Sequence, residues 1–246
     1  MHRFANPGRF LRLANRIQPW LKALTALGFL LGLYFALWAS PPDYQQGETV
    51  RIMYIHVPAA WMALLAYLML GLASASALIW RHPLADIAAE AISPVGAAFT
   101  LLALITGSLW GKPMWGTYWV WDARLTSFLL LFFLYLGHMA LLGAFDDRGR
   151  GQRSAAVLAL VGLINLPIIK FSVDWWNTLH QPASIARMDG PSIDPSMLWP
   201  LFTMAAAFHV FLLAALIERM RTLLLEAKLR NQRLAAFDRV QAESFE

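Results

Sequence analysis

The residues from Trp115 to Thr126 read WGTYWVWDARLT, with three tryptophans and one tyrosine within seven positions. Such rings offer a flat, polarisable surface that suits a large, flat, apolar ligand. Arg124 can bind a carboxylate through a bidentate hydrogen bond. Asp122 either orients that arginine or caps the helix that follows. Gly116 is expected to let the backbone approach a neighbour closely.

Two histidines stand in similar short sequences, HVPAA at His56 and HQPAS at His180. Proline fixes its own φ and disfavours helix at the preceding residue, so each histidine is predicted to lie on stiff, non-helical backbone. Imidazole nitrogens, a flat apolar surround and a cation for propionates are the features that haem requires. Zinc fits less well, because no third ligand is obvious and the tryptophans would be unexplained.

The composition requires that these residues be positioned by membrane-spanning helices. Of 246 residues, 59% are apolar and 14% are charged, and the mean hydropathy is +0.51. An average soluble domain is about 25% charged. The chain has no cysteine, which excludes disulfides, thiolate metal sites and covalent haem attachment. The net charge of +5 is typical of basic cytoplasmic loops, so a nucleic-acid function is not favoured.

Six apolar runs approach the roughly 20 residues that a helix needs to cross the hydrocarbon layer. They predict an all-α bundle of six transmembrane helices at Ala23–Ala39, Ala59–Trp80, Ile92–Trp110, Thr126–Phe145, Ala155–Phe171 and Leu198–Ile217. The fifth run is the shortest and contains Asn165 and Pro167, which mark either a kinked span or ordinary helix packing.

Basic residues are distributed unequally between the two sets of connections. Fifteen fall on one side: Arg3, Arg9, Arg12, Arg16, Lys22, Arg81, Arg148, Arg150, Arg153, Arg219, Arg221, Lys228, Arg230, Arg233 and Arg239. Five fall on the other: Arg51, Lys112, Arg124, Lys170 and Arg187. This asymmetry predicts that both termini are cytoplasmic. The connections at about Ser40–Pro58, Gly111–Leu125 and Ser172–Met197 then face outward, into the periplasm of a bacterium.

Tryptophan is concentrated at the predicted outer boundary. Nine of the 11 tryptophans lie there: Trp38, Trp61, Trp110, Trp115, Trp119, Trp121, Trp175, Trp176 and Trp199. An ordinary aromatic belt populates both interfaces, so the imbalance favours a ligand role for this face. The predicted division of the chain is a transmembrane domain at 1–218, with a functional loop at 111–126, and a charged cytoplasmic helical tail at 219–246. The tail is expected to continue span six, lie on the membrane or dock a partner.

The pattern W-G-x-x-W-x-W-D from Trp115 to Asp122 resembles the WWD signature of haem-handling membrane proteins. With six spans and flanking histidines, the chain resembles the cytochrome c maturation protein C (CcmC) family, the haem-delivery subunits of bacterial cytochrome c assembly. The resemblance extends from span one to span six. It implies a multi-pass protein of the bacterial inner membrane that transfers haem and has no catalytic residue of its own.

The same resemblance implies a haem site made of named residues. His56 and His180 would be the axial ligands of the iron. Trp115, Trp119 and Trp121 would present haem, held non-covalently (b-type) and transiently, beside Asp122 and Arg124. The implied partners are a periplasmic haem chaperone, the ATPase and permease subunits of an ABC transporter, a very small membrane subunit and the lipid bilayer. Holding the porphyrin edge in reach would assist covalent capture of haem by the chaperone.

Two other functions stay open at this point. A membrane redox subunit would hold a permanent b-type haem between His138 and His209, which lie near the middle of spans four and six. Alternatively, these are neutral histidines that hydrogen-bond between helices. A permease for another substrate would carry charged residues inside its bundle, and the spans contain few of them.

Overall fold

The computed structural model describes residues 6–181, 184–185 and 189–243, without the side chains of 234 and 238–243. The regular structure of these residues is helical: α1 (Pro7–Tyr34, continued by a π-helical turn at Phe35–Ala39), a 3₁₀ turn at Glu48–Ile52, α2 (Met53–Trp80), α3 (Ala85–Trp115), α4 (Ala123–Gly143), α5 (Arg148–Gly162), α6 (Asn165–Trp175) and α7 (Pro195–Glu243). Six segments are long and apolar enough to cross a membrane, with α5 and α6 counted as one. The predicted all-α fold with six spans is confirmed.

Polar residues define where several helices begin. Asn6 caps α1, Asp122 caps α4 and Asp147 caps α5, each by accepting backbone N–H bonds of 2.7 to 3.2 Å. These side chains satisfy donors that have no partner within the first turn of a helix. Pro7 occupies the first turn of α1, where its missing N–H costs nothing. Local sequence therefore determines these boundaries.

The fifth span is interrupted at Leu163–Ile164, between α5 and α6. Pro167 has no N–H to donate to the carbonyl of Leu163, so a continuous helix would lose a hydrogen bond here. Asn165 is buried at the break, and its Nδ2 donates to the carbonyl of Ser127 at 2.9 Å. The interpretation of Asn165 and Pro167 as marks of an interrupted span is confirmed. The hydrogen bond of Asn165 joins α6 to α4.

The core lies where α2 and α3 pair along their lengths and α7 packs across both. α4 packs against α3 and α5, α6 packs against α4, and α1 contacts α7 at the periphery. Tyr67 and Tyr135 meet edge to face inside the bundle with ring centroids 5.0 Å apart. The Tyr135 hydroxyl donates to the carbonyl of Ala63 at 2.8 Å. These two tyrosine contacts join α4 to α2, whose pairing with α3 carries part of the candidate site.

The last helix continues without a break beyond the predicted end of span six. α7 has 49 residues, so it is about 73 Å long at 1.5 Å per residue. That length is more than twice the roughly 30 Å of the hydrocarbon layer. The described part of the tail therefore continues span six as a helix, while the domain boundary at 218 stays a prediction.

Candidate functional site

The three connections predicted to face outward converge at one end of the bundle. The indole Nε1 of Trp110, in α3, donates to the side-chain oxygen of Gln46 at 2.8 Å, which joins α3 to the first connection. The ring of Trp115, at the end of α3, lies 6.3 Å from the ring of His180 in the last connection. Residues that are distant in sequence thus form one continuous region.

His56 lies in the first turns of α2, so the prediction of non-helical backbone at this histidine is wrong. A 3₁₀ turn at Glu48–Ile52 leads directly into α2, and the helix has already begun before Pro58. Pro58 removes a single intrahelical bond, the one that its missing N–H would make to Tyr54, and the helix tolerates that loss near its start. The backbone at His56 is therefore rigid because it is helical, whereas the prediction was a rigid non-helical segment.

The His56 ring is held against α3 through Nδ1. This nitrogen lies 3.0 Å from the carbonyl oxygen of Ala103 and 3.1 Å from the hydroxyl oxygen of Thr106. Because a carbonyl oxygen only accepts, Nδ1 carries the proton and Nε2 keeps its lone pair. The ring of Trp110 packs edge-on at 5.7 Å. His56 is therefore oriented and in the tautomer that a metal ligand needs.

Gly107 is a site residue that the sequence analysis did not identify. A Cβ atom at this position would lie 2.9 Å from Cε1 of His56, closer than carbon atoms pack. The absence of a side chain lets the imidazole lie directly against α3. The available signal was a glycine inside an apolar span, which often marks a close approach of a neighbouring group.

His180 lies on non-helical backbone after α6, as predicted, although Pro182 and Ala183 of its motif lie outside the described residues. Its Nδ1 is 2.9 Å from the carbonyl oxygen of Gln181, so its Nε2 also keeps a lone pair. Burial, and then the positive charge of Arg124, lower the pKa of His180, against opposing effects of the Gln181 carbonyl and Asp122. The imidazole is therefore neutral and able to bind a metal at neutral pH.

The two histidines share one electrostatic environment. The positive forms of His56 and His180 repel each other, and His56 also interacts with the charge of Arg124. Such interactions weaken as the distance between the charges increases. The structure thus brings the two predicted ligands to the same end of the bundle.

The tryptophan-rich loop is shorter than predicted. α3 extends through Trp115 and α4 begins at Ala123, which leaves 116–122 as the connection instead of 111–126. Gly116 ends α3 with φ of +76°, and its N–H bonds to the carbonyl of Lys112 at 3.0 Å. No atom lies within 4 Å of where its Cβ would be, so the glycine serves a left-handed helix end and not a close approach.

The three tryptophans of the signature have different environments. Trp115 packs beside His180, whereas Trp119 and Trp121 meet edge to face at 5.4 Å and do not form one flat surface. The Trp121 side chain is 75% exposed. The indole nitrogen of Trp119 is buried without a hydrogen-bond partner in the described part of the chain, and so is Oδ2 of Asp122. Both groups can therefore still form a hydrogen bond with a bound molecule.

Asp122 and Arg124 have separate structural partners. Asp122 accepts the N–H of Leu125 at 2.7 Å, which is the capping role proposed for it. Arg124 donates from Nε to the Ser172 hydroxyl at 3.0 Å and from Nη2 to the Lys170 carbonyl at 3.4 Å. Arg124 thereby ties the start of α4 to the end of α6, from which the His180 segment departs.

The structure separates His138 from His209. His138 is 1% exposed, and its Nδ1 lies 2.7 Å from the hydroxyl of Ser93 in α3. His209 lies on the outer surface of α7, with Nδ1 2.7 Å from the carbonyl of Ala205 in its own helix. One ring is enclosed by the bundle and the other is outside it, an arrangement that does not suit a shared iron. For His138 the interpretation as a hydrogen bond between helices is confirmed.

Sequence comparisons show which proteins the chain is similar to. The family model described as "Heme exporter protein C" matches residues 1–235. A protein of that name from Bradyrhizobium diazoefficiens is 57% identical over 240 residues, covering 98% of this chain and 91% of the relative. The relative from Escherichia coli strain K12 is 46% identical over 225 residues, covering 92% and 91%. The one from Paracoccus denitrificans is 44% identical over 234 residues, covering 95% of each.

Proposed function

The chain belongs to the heme exporter protein C (CcmC) family, and from this premise we propose that it binds haem and hands it to a periplasmic chaperone. The relatives' names support a role in haem export for cytochrome c biogenesis. The binding site that we propose is the outer end of the bundle. His56 and His180 are its iron ligands, and Trp115, Trp119, Trp121, Asp122 and Arg124 surround the porphyrin.

The observation that carries this proposal is the matched hydrogen bonding of the two histidines. Nδ1 of His56 and Nδ1 of His180 each lie within 3.0 Å of a main-chain carbonyl oxygen. Metal-binding histidines usually donate one ring N–H in this way, which orients the ring and makes the other nitrogen a better ligand. Two imidazole rings at one end of the bundle, each with Nδ1 bonded to a carbonyl and Nε2 free, suit the two axial positions of haem iron.

The remaining residues fit the periphery of haem. The Trp115 ring beside His180 supplies apolar surface, and the buried indole N–H of Trp119 is a donor without a partner among the described residues. The charge of Arg124 interacts electrostatically with both His56 and His180, and it attracts the propionates of haem. Because the chain has no cysteine, haem is held non-covalently.

The two ligands differ in how the fold holds them, and this difference suits transfer. His56 is part of α2 and is held by two α3 groups, whereas His180 lies on a connection between α6 and α7. We expect His180 to dissociate first while His56 retains the iron. Trp121, which is largely exposed, lies where a docking chaperone can reach haem. The protein contributes no catalytic group and acts by holding the porphyrin in reach.

The setting that we propose is the bacterial inner membrane, with both termini in the cytoplasm and the haem site in the periplasm. The even number of candidate spans supports the proposal that both ends of the membrane domain share one side of the bilayer. The asymmetry of Lys and Arg supports the cytoplasm as that side. The proposed partners are the haem chaperone, the ATPase and permease of an ABC transporter, and a very small membrane subunit.

The test uses the full chain purified in detergent, with each candidate histidine replaced by alanine. We expect His56→Ala and His180→Ala to lose the haem absorption band and the transfer of haem to the purified chaperone. His209→Ala is the matched control, because that ring has the same kind of Nδ1 bond but lies outside the bundle. Unchanged spectra for both outer variants, or loss of haem only on replacing His138, would overturn the proposal.

A further inference from the structure

An apolar groove of about 260 Å³, whose lining contains no histidine, lies between α3 and α7. Pro94, Ala98 and Leu102 of α3 form one wall, and Phe211, Ala215 and Arg219 of α7 form the other. The three α7 residues are spaced by four, so they follow one face of the helix. The groove is thus an apolar channel with a single cation at one end.

The groove is confined to one leaflet. Pro94 to Leu102 and Phe211 to Arg219 are nine residues each, or about 12 Å of helix from first to last. One half of a hydrocarbon layer of roughly 30 Å has a similar length. Arg219 is the first basic residue after the apolar stretch of span six, which places the open end at the boundary with water.

The size of the groove distinguishes between occupants. A transmembrane helix is about 10 Å across, so it can lie over a groove of this volume but cannot enter it. Haem finds no nitrogen ligand on the groove walls, since the lining residues include no histidine. A single hydrocarbon chain is narrow and apolar enough to fit between Ala98 and Ala215.

The charge at the open end favours an anionic head group. Glu218, the neighbour of Arg219, is already paired with Lys22 at 3.2 Å and with Arg221 at 3.1 Å. Within the part of the chain that the structure describes, Arg219 has no ion pair, and its side chain is exposed. Its charge is therefore available to the phosphate of a lipid in the adjoining leaflet.

We propose that this groove binds one acyl chain of an anionic phospholipid whose phosphate contacts Arg219. In the orientation proposed above, the lipid belongs to the cytoplasmic leaflet. The bound chain ties α3 to α7 over their cytoplasmic halves. Its inner end reaches Leu102, whose carbonyl accepts the hydroxyl of Thr106 at 2.7 Å, and Thr106 in turn contacts His56. The lipid therefore supports the segment of α3 that holds this histidine.

Native mass spectrometry of the full chain in non-ionic detergent tests the proposal, with phosphatidylglycerol and phosphatidylcholine as probes. We expect the wild type to retain one phosphatidylglycerol in preference to phosphatidylcholine. Arg219→Gln is expected to weaken retention about fivefold, the factor that one cation near an anionic head group supplies. Arg230→Gln, which removes a cation of the tail beyond the groove, is the matched control. Ala98→Phe fills the groove without changing charge and is expected to abolish retention.

Three outcomes would overturn the proposal. The first is equal retention of the two lipids by the wild type. The second is equal retention of phosphatidylglycerol by Arg219→Gln and Arg230→Gln. The third is displacement of the lipid by added haem, which would make the groove a haem path. If circular dichroism shows that Ala98→Phe does not fold, the surface variant Arg219→Gln decides the question alone.

Discussion

Gly107→Ala is expected to disturb the candidate site without removing any of its functional groups. The added methyl carbon would lie 2.9 Å from Cε1 of His56 and 3.4 Å from its Nδ1. Carbon atoms pack at about 3.5–4.0 Å, so the ring must move between about 0.6 and 1.1 Å away from α3. Both Nδ1 contacts, to Ala103 at 3.0 Å and to Thr106 at 3.1 Å, are with α3 and lengthen together. Beyond about 3.5 Å they are no longer hydrogen bonds.

The size of the effect follows from what those bonds do. Loss of a group that orients a metal-binding histidine typically lowers metal affinity 10- to 100-fold. Alanine is the better helix former, by about 1 kcal/mol, so the α3 backbone itself is not weakened by the change. Haem binding and helix propensity are therefore expected to change in opposite directions, which separates a site effect from general unfolding.

The assay is a haem titration of the detergent-purified variant, followed by visible absorption, with helix content checked by circular dichroism. Gly143→Ala in α4 is the control, because no atom lies within 4 Å of its added Cβ. Thr106→Val removes one of the two contacts and is expected to give a smaller loss than Gly107→Ala. Wild-type affinity in a folded Gly107→Ala protein would refute the role that we assign to this close approach.

Three further changes test individual residues of the site. Arg124→Gln removes a charge that disfavours imidazolium, so the pKa of His180 rises and haem is released at a higher pH on acidification, as absorption across a pH series would show. Ser172→Ala keeps that charge, and a similar pH shift in this variant would contradict the electrostatic explanation. Trp115→Ala removes the ring beside His180 and is expected to lower haem affinity about two- to tenfold in a titration. Trp115→Phe is expected to lose less. Equal affinity of Trp115→Ala and wild type would show that this ring does not contribute to haem binding. Asp122→Ala removes the cap of α4 and is expected to cost about 1 kcal/mol in the free energy of unfolding, measured by denaturation, whereas Asp122→Asn should cost little because it can still cap. An equal cost for the two Asp122 variants would argue against capping.

Features that depend on neighbouring residues in the chain were predictable from the sequence. Long apolar runs predicted the six spans, because spanning length is a property of a continuous segment. The Asp122 cap and the break near Pro167 were also accessible, since each depends on groups within four residues. The signature from Trp115 to Asp122 indicated the family that the comparisons support over 1–235.

Predictions from short sequence patterns were wrong where a helix begins earlier or ends later than the pattern indicates. Proline at 58 indicated an irregular backbone at His56, but a 3₁₀ turn begins the helix several residues earlier. The apolar run predicted to end at Trp110 indicated a loop from residue 111, but α3 continues to Trp115. A single proline or glycine costs a helix one bond or some backbone entropy, which packing against neighbouring helices can offset.

The chemistry of the site depends on contacts that no local pattern specifies. Ala103 and His56 are separated by 47 residues, and Arg124 and Ser172 by 48, yet each pair is in hydrogen-bond contact. The sequence determined which residues could bind haem and that they belong to a membrane bundle, because hydrophobic length and residue type are local properties. Only the tertiary structure decided which nitrogen of His56 is free, because the packing of α2 against α3 selects the carbonyl that this ring meets.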